Sequence, residues 1–157
     1  MSSAAHPPIE VTPIWARLND ELIRLVDYIP DDKLEWSPKP ELWNLRGILL
    51  HVCMARHNWL GNTIKDGEQP PDVLRDGQTR EGMKEQLSLS WQRLGHFLSD
   101  AAKVSAEYTG LDPRGQPYRL SGHWIAYHLL EHDIHHRADI FHYLALLGIE
   151  HPEVGTP

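Results

Sequence analysis

Cysteine is nearly missing from this chain: Cys53 is the single one among 157 residues. That excludes an internal disulfide and suits a reducing compartment. Basic clusters are missing too. No group of Lys and Arg exceeds two neighbours, and the formal net charge is −7. Nucleic-acid binding needs a basic face, so no nucleic-acid partner is expected. No apolar run approaches membrane-spanning length. The opening Met1-Ser2-Ser3-Ala4-Ala5-His6-Pro7-Pro8 lacks the charged and apolar regions of a signal peptide. A cytoplasmic protein with no membrane partner is the expectation. Internal repeats and low-complexity segments are absent, and nothing reads clearly as a strand.

What is present is helical. The length suits one domain over residues 1–157, with residues 1–8 as a loose tail and a bundle over about 10–150. Six Trp residues are many for this length, and aromatic side chains carry much of any core they enter. The first helix is expected to be capped by Thr12, with Pro13 in its first turn and Ile14, Leu18, Leu22, Leu25 and Ile29 as its apolar stripe. Pro30 ends it, and residues 31–40 connect. Asn44 caps the second helix, which buries Leu45, Ile48, Leu49, Val52, Ala55 and Trp59. Gly61 weakens that helix, and Asp66-Gly67 with Pro70-Pro71 ends it. Residues 68–78 read as a polar loop. Thr79 caps the third helix, whose stripe is Met83, Leu87, Trp91, Leu94, Leu98 and Ala101. Residues 109–120 carry Gly110, Pro113, Gly115 and Pro117 and read as loop. Ser121 caps the last helix, which runs to about Leu147 with Gly148 as its C-terminal cap. Four amphipathic helices in a small domain predict an all-α fold, a four-helix bundle.

Six of the eleven histidines lie between residues 123 and 142. His128, His132 and His136 are spaced four apart, which places them along one helix face, each step turned by about 40° and raised by about 6 Å. His132 and His136 fall within the predicted inward stripe of Ile125, His128 or Leu129, Ile140, Tyr143 and Leu147. A buried imidazole needs partners, and a shared metal ion supplies one per ring. Catalytic zinc sites commonly use three protein ligands and keep one position open. His51, at the edge of the buried face of the second helix, is the candidate third ligand. His57 is turned away and expected in solvent, His96 reads as surface, and His6 and His151 lie in the tails. His123, His135 and His142 fall off the inward stripe. His128 fits a fourth ligand, a group beside the ligands or a hydrogen-bonded core residue, and the last two are favoured.

Two rival motifs are weaker. His128-Leu-Leu-Glu131-His132 matches the inverted zinc-protease pattern, with Glu131 as general base. Such a hydrolase needs another ligand downstream, and Glu150 and Glu153 are poorly placed for it. A di-iron bundle needs inward carboxylates on all four helices, and residues 42–65 hold no Asp or Glu. Cys53 lies about 200° around the helix from His51 and reads as a buried, inert thiol.

Two stretches carry a family resemblance. One is Leu34-Glu-Trp36-Ser-Pro38-Lys-Pro40-Glu-Leu-Trp43-Asn-Leu-Arg-Gly-Ile-Leu-Leu-His51. The other is His128-Leu-Leu-Glu-His132-Asp-Ile-His-His136-Arg137, followed by Tyr143-Leu-Ala-Leu-Leu-Gly148. In order and separation they resemble the DinB/YfiT-like superfamily of four-helix bundles, over roughly residues 10–150. The resemblance implies a divalent metal, commonly zinc or nickel, on His51, His132 and His136, with His128 and Glu131 as candidates beside the ligands. It implies a homodimer. It further implies a metal-dependent transferase or isomerase, of the thiol S-transferase kind, using a low-molecular-weight thiol. A non-catalytic bundle with a structural metal or a small-ligand role is the alternative. The chain departs from the family pattern after Arg137, with Ala138-Asp139 where Gly-Gln is usual.

Overall fold

The computed structural model describes residues 10–151 and is mostly helical. The expected loose tail, His6 and Glu153 lie outside the described residues.

Helix α1 spans Thr12–Tyr28, with Pro13 in its first turn. Thr12 does not cap it. Thr12 is the first helical residue, and no side chain caps the end. Leu18, Leu22, Leu25 and Ile29 are buried as their spacing requires. Ile14 is not: it is 52% exposed, because its neighbour Trp15 takes the inward position at 2%. Arg80 donates to the carbonyls of Val26 and Ile29 and satisfies acceptors that the end of α1 leaves open.

Helix α2 spans Leu45–Asn58, and Asn44 caps it by accepting from the Gly47 N–H at 2.7 Å. Leu45, Ile48, Leu49 and Val52 are buried, while Ala55 and Trp59 are half-buried. Gly61 lies where the regular α-helix gives way. The helix widens into a π-helical segment, Trp59–Ile64, and stops at Lys65 in the left-handed region, φ 57°. The expected polar loop contains one short helix, α3, Val73–Asp76.

Thr79 caps α4, Arg80–Leu98, through the Gly82 N–H. Met83, Leu87 and Leu94 are buried, and Trp91 and Leu98 pack partly against them. Ala101 does not continue this stripe. Asp100 caps a separate short helix, α5, Ala101–Ser105, on which Ala101 is exposed.

The segment expected to be loop is a hairpin. Strand β1, Glu107–Leu111, pairs antiparallel with β2, Pro117–Ser121, in the register Glu107↔Ser121 to Leu111↔Pro117. The Asp112 carboxylate accepts from the N–H groups of Arg114 and Gln116 and closes the turn. Gly110 in one arm and Pro117 in the other masked the alternation in which Tyr108, Tyr118 and Leu120 are the more buried residues. Helix α6, Gly122–Leu146, follows directly, capped by Ser121 through the Trp124 N–H. Its first residue must be glycine-sized, since a Cβ at Gly122 would stand 2.4 Å from the Lys103 carbonyl oxygen. At its far end Gly148, φ 70°, bonds back to Ala145 while Ile149 bonds to Leu144, a Schellman stop.

Helix α2 packs against α4 and α6, and α1 packs against the same two. Their stripes meet in one apolar core. No helix among the described residues is long and apolar enough to cross a membrane. A polar group sits inside that core. Arg56 of α2 and Asp133 of α6 are both fully buried and 2.8 Å apart. Arg56 also donates to Asn19 and Ser90, and Trp15 Nε1 donates to Asp133 Oδ2 at 2.7 Å. This one ion pair touches all four long helices.

Candidate metal centre

On α6 the fully buried positions are Ile125, Leu129, Asp133, Ile140 and Leu144. The stripe is turned slightly from the expected one. Asp133, not a histidine, occupies the middle of the core. His132 and His136 lie at its margin, with side chains 15% and 14% exposed. There they meet His51, which projects from α2 across the groove between the two helices. His132 Nε2 and His51 Nε2 are 2.9 Å apart. The His136 ring lies 4.4 Å from that of His132 and 4.9 Å from that of His51. One nitrogen from each of the three falls within 4.8 Å of the others. The geometry therefore brings together the three histidines that the sequence singled out.

Two of the three rings, His51 and His136, are braced from outside the cluster. Asp139 Oδ2 lies 3.0 Å from His136 Nδ1, which leaves His136 Nε2 free for the cluster. Trp43 packs edge-on against His51 at 4.0 Å and parallel to His136 at 6.1 Å. His132 Nδ1 is buried with no hydrogen bond, and the same holds for Asp133 Oδ1. These two atoms face each other at 3.7 Å, so a slight rotation would join them.

The electrostatics keep His51 and His136 neutral. Burial, then the neighbouring charges of His132 and His136, pushes His51 down to about 4. Burial and His132 lower His136 as well, against the opposing pull of Asp139. For Asp133 burial favours the neutral acid, but Arg56 and the hydrogen bonds to it hold the carboxyl below its usual range. Neutral imidazoles with lone pairs turned toward one point are what a divalent ion such as zinc or nickel requires. Two nitrogens, each about 2.0–2.1 Å from a shared ion, lie about 2.9–3.4 Å apart for angles between a right angle and tetrahedral. The His51–His132 separation of 2.9 Å falls in that range. The unpaired His132 Nδ1 beside a carboxylate is the arrangement that orients a metal-binding imidazole. The donor chemistry of the three residues suits a divalent metal, and one of their separations already falls in the ligand range.

The remaining candidates lie elsewhere. His128 is stacked on Trp124 at 5.0 Å and stays 6.5 Å from the His132 ring, outside the cluster. Glu131 is exposed, beside the histidines. His128, the first residue of the inverted-protease pattern, joins neither group of potential ligands among the described residues. His57 is a correction: it is not in solvent but 5% exposed, receiving a hydrogen bond from Arg93 at Nδ1. The reason is Arg93, which reaches in from α4 while its charge is met by Asp66. Cys53 is buried, and burial pushes its thiol up to about 11, so it is inert as expected. His135 and Asp139, together with His136, form a second and more exposed group of potential ligands. A cavity of about 550 Å³ lies apart from the histidine cluster, between the starts of α1 and α6. Its lining is mainly apolar and contributes one histidine, His123, whereas the triad residues line smaller clefts.

Sequence reading missed Arg56, Asp133 and Trp43. A signal existed for the first two: Arg56 follows Val52 by one helical step, and Asp133 follows Leu129 in the same way. Opposite charges on two core stripes point at each other.

Residues 1–157 match the model of the DinB family. The fold is similar to that of a DinB-like protein from Bacillus cereus, at TM-score 0.70 and 15% identity, covering 91% of this chain and 94% of the other. It is similar also to a DinB-like protein from Bacillus subtilis, at TM-score 0.64 and 18% identity, covering 86% and 90%. A search of curated protein sequences finds no match. From the family match over its whole length, this chain belongs to the DinB family.

Proposed function

We propose that this protein is a divalent-metal-dependent enzyme built on a four-helix bundle, with His51, His132 and His136 as the metal ligands. The observation that carries this reading is the meeting of three imidazoles from two helices, with Nε2 atoms of His51 and His132 at 2.9 Å. A bound zinc or nickel ion supplies Lewis-acid activation of a water or a low-molecular-weight thiol near neutral pH. The reaction class is transfer of that thiol to an electrophilic carbon, or an isomerisation through it. His51 and His136 stay neutral and offer lone pairs. Asp139 holds His136 by Nδ1, and Asp133 stands behind His132. Three ligands leave a position for a substrate, and His128, turned onto Trp124, does not close it. That favours an enzyme over a closed structural site. A homodimer is part of the same reading.

The test is metal content. Protein purified without a His-tag, under zinc and nickel repletion, is expected to carry close to one equivalent by mass spectrometry, and His132→Ala to carry almost none. An unloaded wild type would sink the reading. Assays of the loaded protein against a panel of thiols and electrophiles then identify the reaction.

A further inference from the structure

Beside His51 the surface opens into a cleft of about 330 Å³. Its walls are Leu42, Trp43, Met54 and Leu74. Leu42, Trp43 and Leu74 are 45%, 49% and 54% exposed. Single exposed apolar side chains are ordinary on a protein surface, but a group of them facing one concavity is not. They come from three separate places: the connection before α2, α2 itself and α3. The polar lining offers little to a ligand. Asn44 is occupied at both ends, capping α2 with Oδ1 and donating to Glu35 with Nδ2. No residue of fixed charge lines the cleft. The one titratable group there is His51, whose Nε2 is turned to His132 in the triad.

We infer that this cleft is the substrate pocket of the metal centre, and that it takes a small molecule whose metal-binding head carries an uncharged ring-bearing or branched apolar group. Trp43 joins the cleft to the triad. It lines the cleft together with His51, and both rings neighbour His136, which lines the adjoining cleft of about 250 Å³ with His132. Ligand pockets of this kind combine apolar walls with a few polar groups that fix orientation. A charged or polyhydroxylated arm would find no partner here and lose its hydration.

This inference rests on the metal reading, and the experiment separates the two. Three hydroxamates share one metal-binding head: acetohydroxamate, benzohydroxamate and 4-carboxybenzohydroxamate. Each is titrated calorimetrically into zinc-loaded protein, with affinities for free zinc as the reference. Benzohydroxamate is expected to bind at least about tenfold tighter than acetohydroxamate after that correction. The carboxylated ring is expected to lose the advantage. Leu42→Ala and Leu74→Ala, at wall residues outside the triad and its Trp43 brace, should each shrink the preference while leaving acetohydroxamate binding within about twofold. Equal affinities for the three probes overturn the inference, as does a preference that survives both substitutions. Protein that takes up no zinc overturns the metal reading itself, and its metal content shows which of the two has failed.

Discussion

His132 and Asp133 are adjacent on α6 yet belong to opposite kinds of polar cluster. Asp133 points into the core, where Arg56, Trp15 and the groups around Arg56 nearly saturate one another. His132 points to the margin, where it meets two other imidazoles and keeps an unpaired Nδ1. The first cluster is closed: its charges cancel and its donors find acceptors within the protein. The second is open, since imidazole nitrogens facing one another cannot all be satisfied without a proton or a metal ion between them. A closed polar cluster in a core ties helices together; an open one at a groove is a place for a ligand.

Breaking the closed cluster should have the largest effect. Asp133→Ala leaves a buried guanidinium unpaired and is expected to destabilise the protein by about 3–5 kcal/mol, read from urea unfolding. The double variant Arg56→Met with Asp133→Leu should recover much of that loss. If the double variant is as unstable as the single, packing rather than charge holds this region. A smaller effect sharpens the open cluster. Asp139→Ala removes the carboxylate that holds His136 and should weaken zinc affinity by about 10–100-fold in a chelator competition, with helix content unchanged. Unchanged affinity would mean that His136 orients without it.

The smallest effect concerns pH and a third polar group. Burial, with Arg93 and Arg56 nearby, lowers His57 to about 4, despite the opposing charges of Asp66 and Glu68. The unfolded chain takes up a proton on this residue below about 6.5, and the folded chain does not until about 4. Stability should therefore fall as pH drops through that window and level off beneath it. His51 adds a contribution of the same sign in metal-free protein. His57→Gln should flatten the slope measured by denaturation of metal-free protein between pH 7 and pH 4. A slope identical to that of the wild type would assign the acid sensitivity elsewhere.

Much of this was legible in the residues. The caps Asn44, Thr79 and Ser121 and the stop at Gly148 announced helix ends, because short polar side chains and a left-handed glycine have few other uses there. Thr12 misled, since Pro13 can follow a helical residue as well as a cap. The hairpin was hidden because Gly110 and Pro117 resemble loop residues until the strands pair. His51, His132 and His136 were legible because imidazoles near buried faces demand an explanation. His57 was not, since its burial depends on Arg93, distant in sequence.

The sequence by itself determined where the long helices run and most of the faces that α1, α2 and α4 bury, and it singled out the three histidines that the fold brings within 4.8 Å of one another. Helical periodicity and the chemistry of imidazole are local properties that need no partner to be read. Tertiary structure decided the rotation of α6, which put Asp133 rather than a histidine in the core. It also decided the placing of Trp43 over the cluster and the joining of Leu42, Met54 and Leu74 into one cleft. Those outcomes depend on how separate segments pack, and packing is a property of pairs of surfaces rather than of any one stretch of chain.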